Sequence, residues 1–148
     1  ADLQLYDGWT AGQVHTGFRT ILGDRHEEDG LPGWTIAEEH ELPTARPIVS
    51  GSLVAYKTSR PLSTDTTFFI MHFPGPHLNG MRTCFGRVLS GLDVIREMNE
   101  GDIIDSIEVL RRRDHDYDPV VYDDDQREMM LSELLSRPAS DASSSDNP

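Results

Sequence analysis

Apolar positions cluster in the middle of the chain, and their spacing changes along it. Gly51 to Lys57 (GSLVAYK) and Thr67 to Phe73 (TFFIMHF) are short β-branched and aromatic runs, the pattern of strands. Arg60 to Thr66 is polar and reads as the loop between them. Arg82 to Gly91 predicts another strand, with Gly86 inside it marking a bulge or a close backbone approach. Residues 13–22 mix apolar and polar positions around Gly17, which predicts two short strands meeting at a turn. In Leu92 to Gly101 the spacing lengthens. Leu92, Ile95 and Met98 share one helical face, and Gly101 supplies the stop. Asp102 to Arg113 alternates again. Ile103, Ile107 and Val109 fall on one side and Ile104 and Leu110 on the other, as in a last strand.

The flanks are less regular. Residues 1–10 are polar, with a turn signal at Tyr6-Asp7-Gly8, and residues 23–47 are rich in Gly, Pro and acids and read as a long loop. Residues 114–125 have no period. Asp123 to Arg137 predicts an amphipathic helix, with Asp125 and Glu128 at capping-box spacing and Met130, Leu131, Leu134 and Leu135 as its stripe. Pro138 ends it, and the serine-rich residues 138–148 are compositionally disordered. Three segments follow: a domain over 1–113, an acidic linker with a helix over 114–137, and a tail over 138–148.

Charge narrows the function classes. The chain of 148 residues carries −13. Residues 114–148 hold ten acids against two arginines. Such a chain is a poor ligand for nucleic acid, and Arg111-Arg112-Arg113 reads as a solvated strand end. No run reaches membrane-spanning length and no signal peptide opens the sequence, so a soluble chain is expected; the compartment stays open, with the cytoplasm slightly favoured. The single cysteine, Cys84, excludes an internal disulfide and reads as a small core residue. Asp114, Asp116, Asp118 and Asp125 have calcium-loop spacing. Pro119 stands where the sharp turn needs glycine, so no calcium site is assigned. His72 and His77 lack Cys or acid neighbours, so no metal or cofactor is expected.

A connected set of motifs spans residues 6–112. It comprises Tyr6-Asp7-Gly8, Gly17-Phe18, Gly23-Asp24, Phe68-Phe69-Ile70, Pro76-His77-Leu78-Asn79-Gly80, Phe85-Gly86-Arg87-Val88 and Gly91-Leu92-Asp93-Val94-Ile95. In this combination the sequence resembles the cyclophilin family of peptidyl-prolyl cis-trans isomerases. The resemblance implies a mainly β fold, a cyclophilin-like antiparallel barrel with one short helix, to which the C-terminal helix is added. It begins partway into the family pattern, so the expected barrel is incomplete at the N-terminus, with about six of eight strands. Association through an open barrel edge or the C-terminal helix is a further expectation.

The resemblance also implies a site. Phe18, Phe69 and Leu78 fall at family pocket positions and keep their apolar character. The polar positions differ. Gln13 stands where the family has its catalytic arginine, and Ile21 and Thr67 stand where it has two glutamines. His77 replaces a tryptophan, Arg82 a histidine and Arg19 a methionine. Arg19 is therefore a candidate substitute donor, or else pairs outward with Asp24 or Glu27. The expected function is binding or isomerisation of Xaa-Pro segments, with weak turnover. The alternative is a non-catalytic proline-peptide-binding or structural module.

Overall fold

The structure is a computed structural model and describes residues 6–23, 34–57, 63–111, 113–114, 118–123 and 125–137. Strands β1 (Ala11–His15), β2 (Arg19–Leu22), β3 (Ile36–Ala37), β4 (Ser52–Lys57), β5 (Ser63–Met71) and β6 (Cys84–Arg87) form one antiparallel sheet. Its order is β1-β2-β5-β4-β6, and β3 pairs with the start of β5. β5 begins at Ser63, so the polar residues read as loop are half strand. They extend because β3 and Lys57 of β4 pair with them, a contact invisible to local polarity.

Period-two alternation separates two cores. Ile21, Phe69 and Val54 stand in one row across β2, β5 and β4; with Ile48 and Met71 they form the first core. One step along the strands, Thr20, Ile70 and Leu53 form the row on the opposite face. There Ala11, Leu22 and Ile70 build the second core, covered by Leu92, Ile95 and Met98. These last three mark the predicted face of α1 (Leu92–Glu97). The helix stops four residues short of Gly101, because Asp102 folds back to accept from the Asn99 N–H.

Gly17, at φ +77°, closes the β1–β2 hairpin, and the Phe18 N–H donates to the His15 carbonyl at 2.8 Å. Gln126 is the positive-φ non-glycine residue among those described, so Thr16 has negative φ and the turn is of type II. The row Pro74 to Gly80 is a structural clamp. Pro76–Leu78 makes one 3₁₀ turn, Gly75 donates to the Ile48 carbonyl, and the Asn79 side chain accepts from the Ile48 N–H at 2.8 Å. A Cβ on Gly75 would lie 2.7 Å from the Met71 methyl, so a side chain here has to push that methyl aside.

Two expectations fail beyond α1. The strand predicted over Asp102 to Arg113 reduces to a bridge between Thr10 and Ile103, with backbone bonds from 101–104 to Gly8, Trp9 and Ala11. Past Ile104 its N–H groups meet a side chain instead of a strand, Ile107 donating to Asp7, and Val109 and Leu110 are exposed. Arg112 lies outside the described residues.

The helix predicted over Asp123 to Arg137 is a hairpin followed by a shorter helix: β7 (Val120–Tyr122), β8 (Glu128–Met130) and α2 (Leu131–Ser136). Asp123 forces the turn. Its carboxylate accepts from the Arg127 N–H and Nε and from Arg137, and Gln126 takes φ 61°. Burial alone would raise this carboxyl; the Arg127 bonds and charge outweigh it and hold it below the ordinary value. Asp125 and Glu128 form no capping box. Asp118 serves α2 instead, accepting from the Ser132 N–H and hydroxyl.

Met129, not Met130, turns inward, joining Val121 and Leu134 against Trp34 and Ile36, while Met130 and Leu135 face out. Thr35 and Tyr122 exchange both backbone bonds, so this hairpin docks beside β3. Residues 138–148 lie outside the described residues.

Candidate functional site

The site is built on the first core, where β2, β4 and β5 turn alternate residues the same way. Phe18, Tyr56, Leu78 and Cys84 pack against its rim. The hairpin turn places Phe18, and the 3₁₀ turn places His77 over it, the rings stacked at 6.1 Å and 20°. Phe18 and Leu78 thus pack against the cluster that holds Phe69. Cys84 is half-buried at the rim, not fully enclosed, and its thiol leans on the Gly86 carbonyl.

Arg19 dominates this face. It lies opposite Met71 on β2, with Ile21 on the same side of the strand. Its guanidinium sits 4.9 Å from the Phe69 ring centre, 5.3 Å from Phe18 and 5.9 Å from Tyr56. Three π faces turn toward one cation, an arrangement worth about 0.5–2 kcal/mol. Its Nε is buried without a hydrogen-bond partner among the described residues. Burial draws the group below its ordinary value; the charge of Arg82 draws it further, and Tyr56 partly offsets both. Arg82 is half-buried, and its Nη1 is likewise buried and unpartnered among the described residues. Asp24 and Glu27, the expected outward partners of Arg19, lie outside the described residues.

The remaining candidates differ in exposure and bonding. Gln13 is exposed, at the bulge of β1 between Ala11 and Val14. Ile21 is sealed in the core at 3% exposure. Thr67 is buried, and its hydroxyl donates to the Gly23 carbonyl at 2.8 Å. Sequence reasoning missed Tyr56. Period two from Val54, which faces Phe69, would have found it. A separate cleft of about 220 Å³, lined by Glu39, Thr44, Arg46, Thr83, Cys84 and Phe85 among others, lies on the β6 side. Among the described residues no group of three or more His, Cys, Asp or Glu could hold a metal, and no helix is long and apolar enough to cross a membrane.

An antiparallel sheet with an aromatic-walled face beside a Pro-rich 3₁₀ loop is the arrangement of a prolyl-isomerase-type domain. The family model described as cyclophilin type peptidyl-prolyl cis-trans isomerase/CLD matches residues 2–115, and the chain belongs to that family. Over 106 residues it is 37% identical to peptidyl-prolyl cis-trans isomerase B of Bacillus subtilis, covering 71% of this chain and 73% of that one. Over 109 residues it is 34% identical to a peptidyl-prolyl cis-trans isomerase of Synechococcus elongatus, covering 72% of each. A solved cyclophilin from Hirschia baltica shares 20% identity at a TM-score of 0.48, covering 73% of this chain and 58% of that one.

Proposed function

We propose that this domain binds Xaa-Pro segments on the face of Phe18, Tyr56, Phe69 and Leu78 and isomerises them slowly. The observation that carries the reading is Arg19, whose guanidinium covers the three rings a proline would need. Isomerisation must lower a barrier of about 18–20 kcal/mol set by amide resonance. That takes an apolar grip on the proline ring and a donor to its nitrogen. Arg19 competes with the grip. Gln13, at the family's arginine position, offers an uncharged donor, weaker than a charged one. Losing one transition-state hydrogen-bond donor lowers rates about 10²–10³-fold in comparable sites.

The test is NMR exchange spectroscopy on a Xaa-Pro tetrapeptide. The unmodified chain should give a rate far below that of the Bacillus subtilis relative, and Gln13→Arg should raise it. A rate equal to that relative's would refute slow turnover. The second reading is a module that holds proline segments without turning them over. Ile21 and Thr67 favour it, since one is sealed in the core and the other is bonded to Gly23. Peptide affinity with no exchange, even in Gln13→Arg, would select this second reading.

A further inference from the structure

Arg19 and Arg82 approach each other through the register of β4 and the segment before β6. The Ala55 N–H donates to the Thr83 carbonyl at 2.9 Å, which sets Tyr56 and Arg82 side by side. Tyr56 in turn lies 5.9 Å from the Arg19 guanidinium. Each arginine keeps one buried nitrogen without an acceptor among the described residues. A guanidinium presents five N–H donors, and burying one unpaired is costly. The two cations also repel, the charge of Arg82 being felt at Arg19. The chain holds 26 acids, yet neither arginine has an ion-pair partner among the described residues. Asp123, by contrast, is buried with Arg127 and Arg137 as its partners.

We infer that Arg19 and Arg82 together form a subsite for an oxyanion, carried by the side chain that precedes proline in a bound peptide. An oxyanion has lone pairs in the geometry that a guanidinium fork matches. Placed between the two arginines it satisfies both orphaned donors and cancels their repulsion. It also draws the Arg19 head away from the Phe18 and Phe69 faces, which opens the rings to the proline that follows. Acidic and phosphorylated residues before proline share this chemistry. The inference rests on the reading that the face binds prolyl peptides.

The experiment titrates the full chain with Ala-Glu-Pro-Phe, Ala-Gln-Pro-Phe, Ala-phosphoSer-Pro-Phe and Ala-Glu-Ala-Phe, followed by amide chemical shifts. Glu-Pro should bind about tenfold more tightly than Gln-Pro, the scale of one charge-assisted bond gained. Arg82→Gln should erase that preference, and Arg82→Lys should keep part of it. A phosphoserine peptide tighter than the Glu peptide assigns phosphate as the favoured source, and a weaker one assigns carboxylate. Equal affinity for Glu-Pro and Gln-Pro overturns the oxyanion subsite while leaving prolyl binding intact. If Ala-Glu-Ala-Phe matches Glu-Pro, the oxyanion subsite stands and the prolyl reading falls.

Discussion

His72 is one of the few polar side chains wholly enclosed in the sheet, at 1% exposure. The Thr20 hydroxyl lies 2.9 Å from His72 Nε2 and 3.3 Å from the Ile95 carbonyl, linking the ring to α1. The His72 carbonyl accepts from Ser50 and from Arg96, which ties β5 to α1. Burial lowers this imidazole below its ordinary value, and the Arg96 charge lowers it further. In the unfolded chain the ring protonates near pH ~6.5. Below that pH the unfolded state binds more protons, so stability is full above it and falls as pH drops toward the folded value. Thermal melts between about pH 7.5 and 5 should therefore show a decline that is smaller in His72→Gln. Equal slopes in the two proteins would remove His72 as the cause. None of this was legible in the sequence, where His72 is one polar letter in an apolar run. Phe18, Phe69 and Leu78 were legible as pocket residues only through the family resemblance, since strand and turn spacing alone read them as ordinary core. The cage around Arg19 was not, because it also needs Tyr56, supplied by a strand that pairs from a distance.

The β1–β2 hairpin shows what one backbone angle contributes to an element. A Cβ on Gly17 would meet nothing within 4 Å, so substitution there tests conformation alone. Holding a non-glycine residue in the left-handed region costs about 1–2 kcal/mol. Gly17→Ala should lower unfolding stability in urea by that amount, and Gly17→Asn by less, since Asn tolerates this region. If the two variants cost the same, strain at this turn is not the reason. This hairpin was readable because glycine marked it. The β7–β8 hairpin was misread for the opposite reason. Its apolar spacing suits a helix, and the turn is set by Asp123 gripping Arg127 and by Tyr122 pairing with Thr35. Tertiary bonds overrode local pattern.

At the scale of the molecule, the sheet ends on β6, which pairs with β4 and with no further strand among the described residues. Phe85 on this strand is 52% exposed, and the following Leu89 is 96% exposed. Unpaired edges with exposed apolar side chains template pairing with another copy. A net charge of −13 opposes that pairing at long range, and salt screens the repulsion within about 10 Å at 0.1 M. Sedimentation should therefore show self-association that rises with ionic strength and is weakened by Phe85→Lys. A monomer at every salt concentration would contradict this. The whole also has a second part, the docked C-terminal hairpin, and the two tryptophans are divided between them. Trp9 packs edge-on against Tyr6 beside β1, whereas Trp34 lies in the cluster of Val121 and Met129. Trp9 is thus a fluorophore reporting on the sheet, and Trp34, which also packs beside Ile36 of β3, one reporting on the hairpin and its seam with the sheet. Replacing either by Phe leaves emission from the other, so the unfolding of sheet and hairpin can be followed separately, by colour, in a chain that needs no dye.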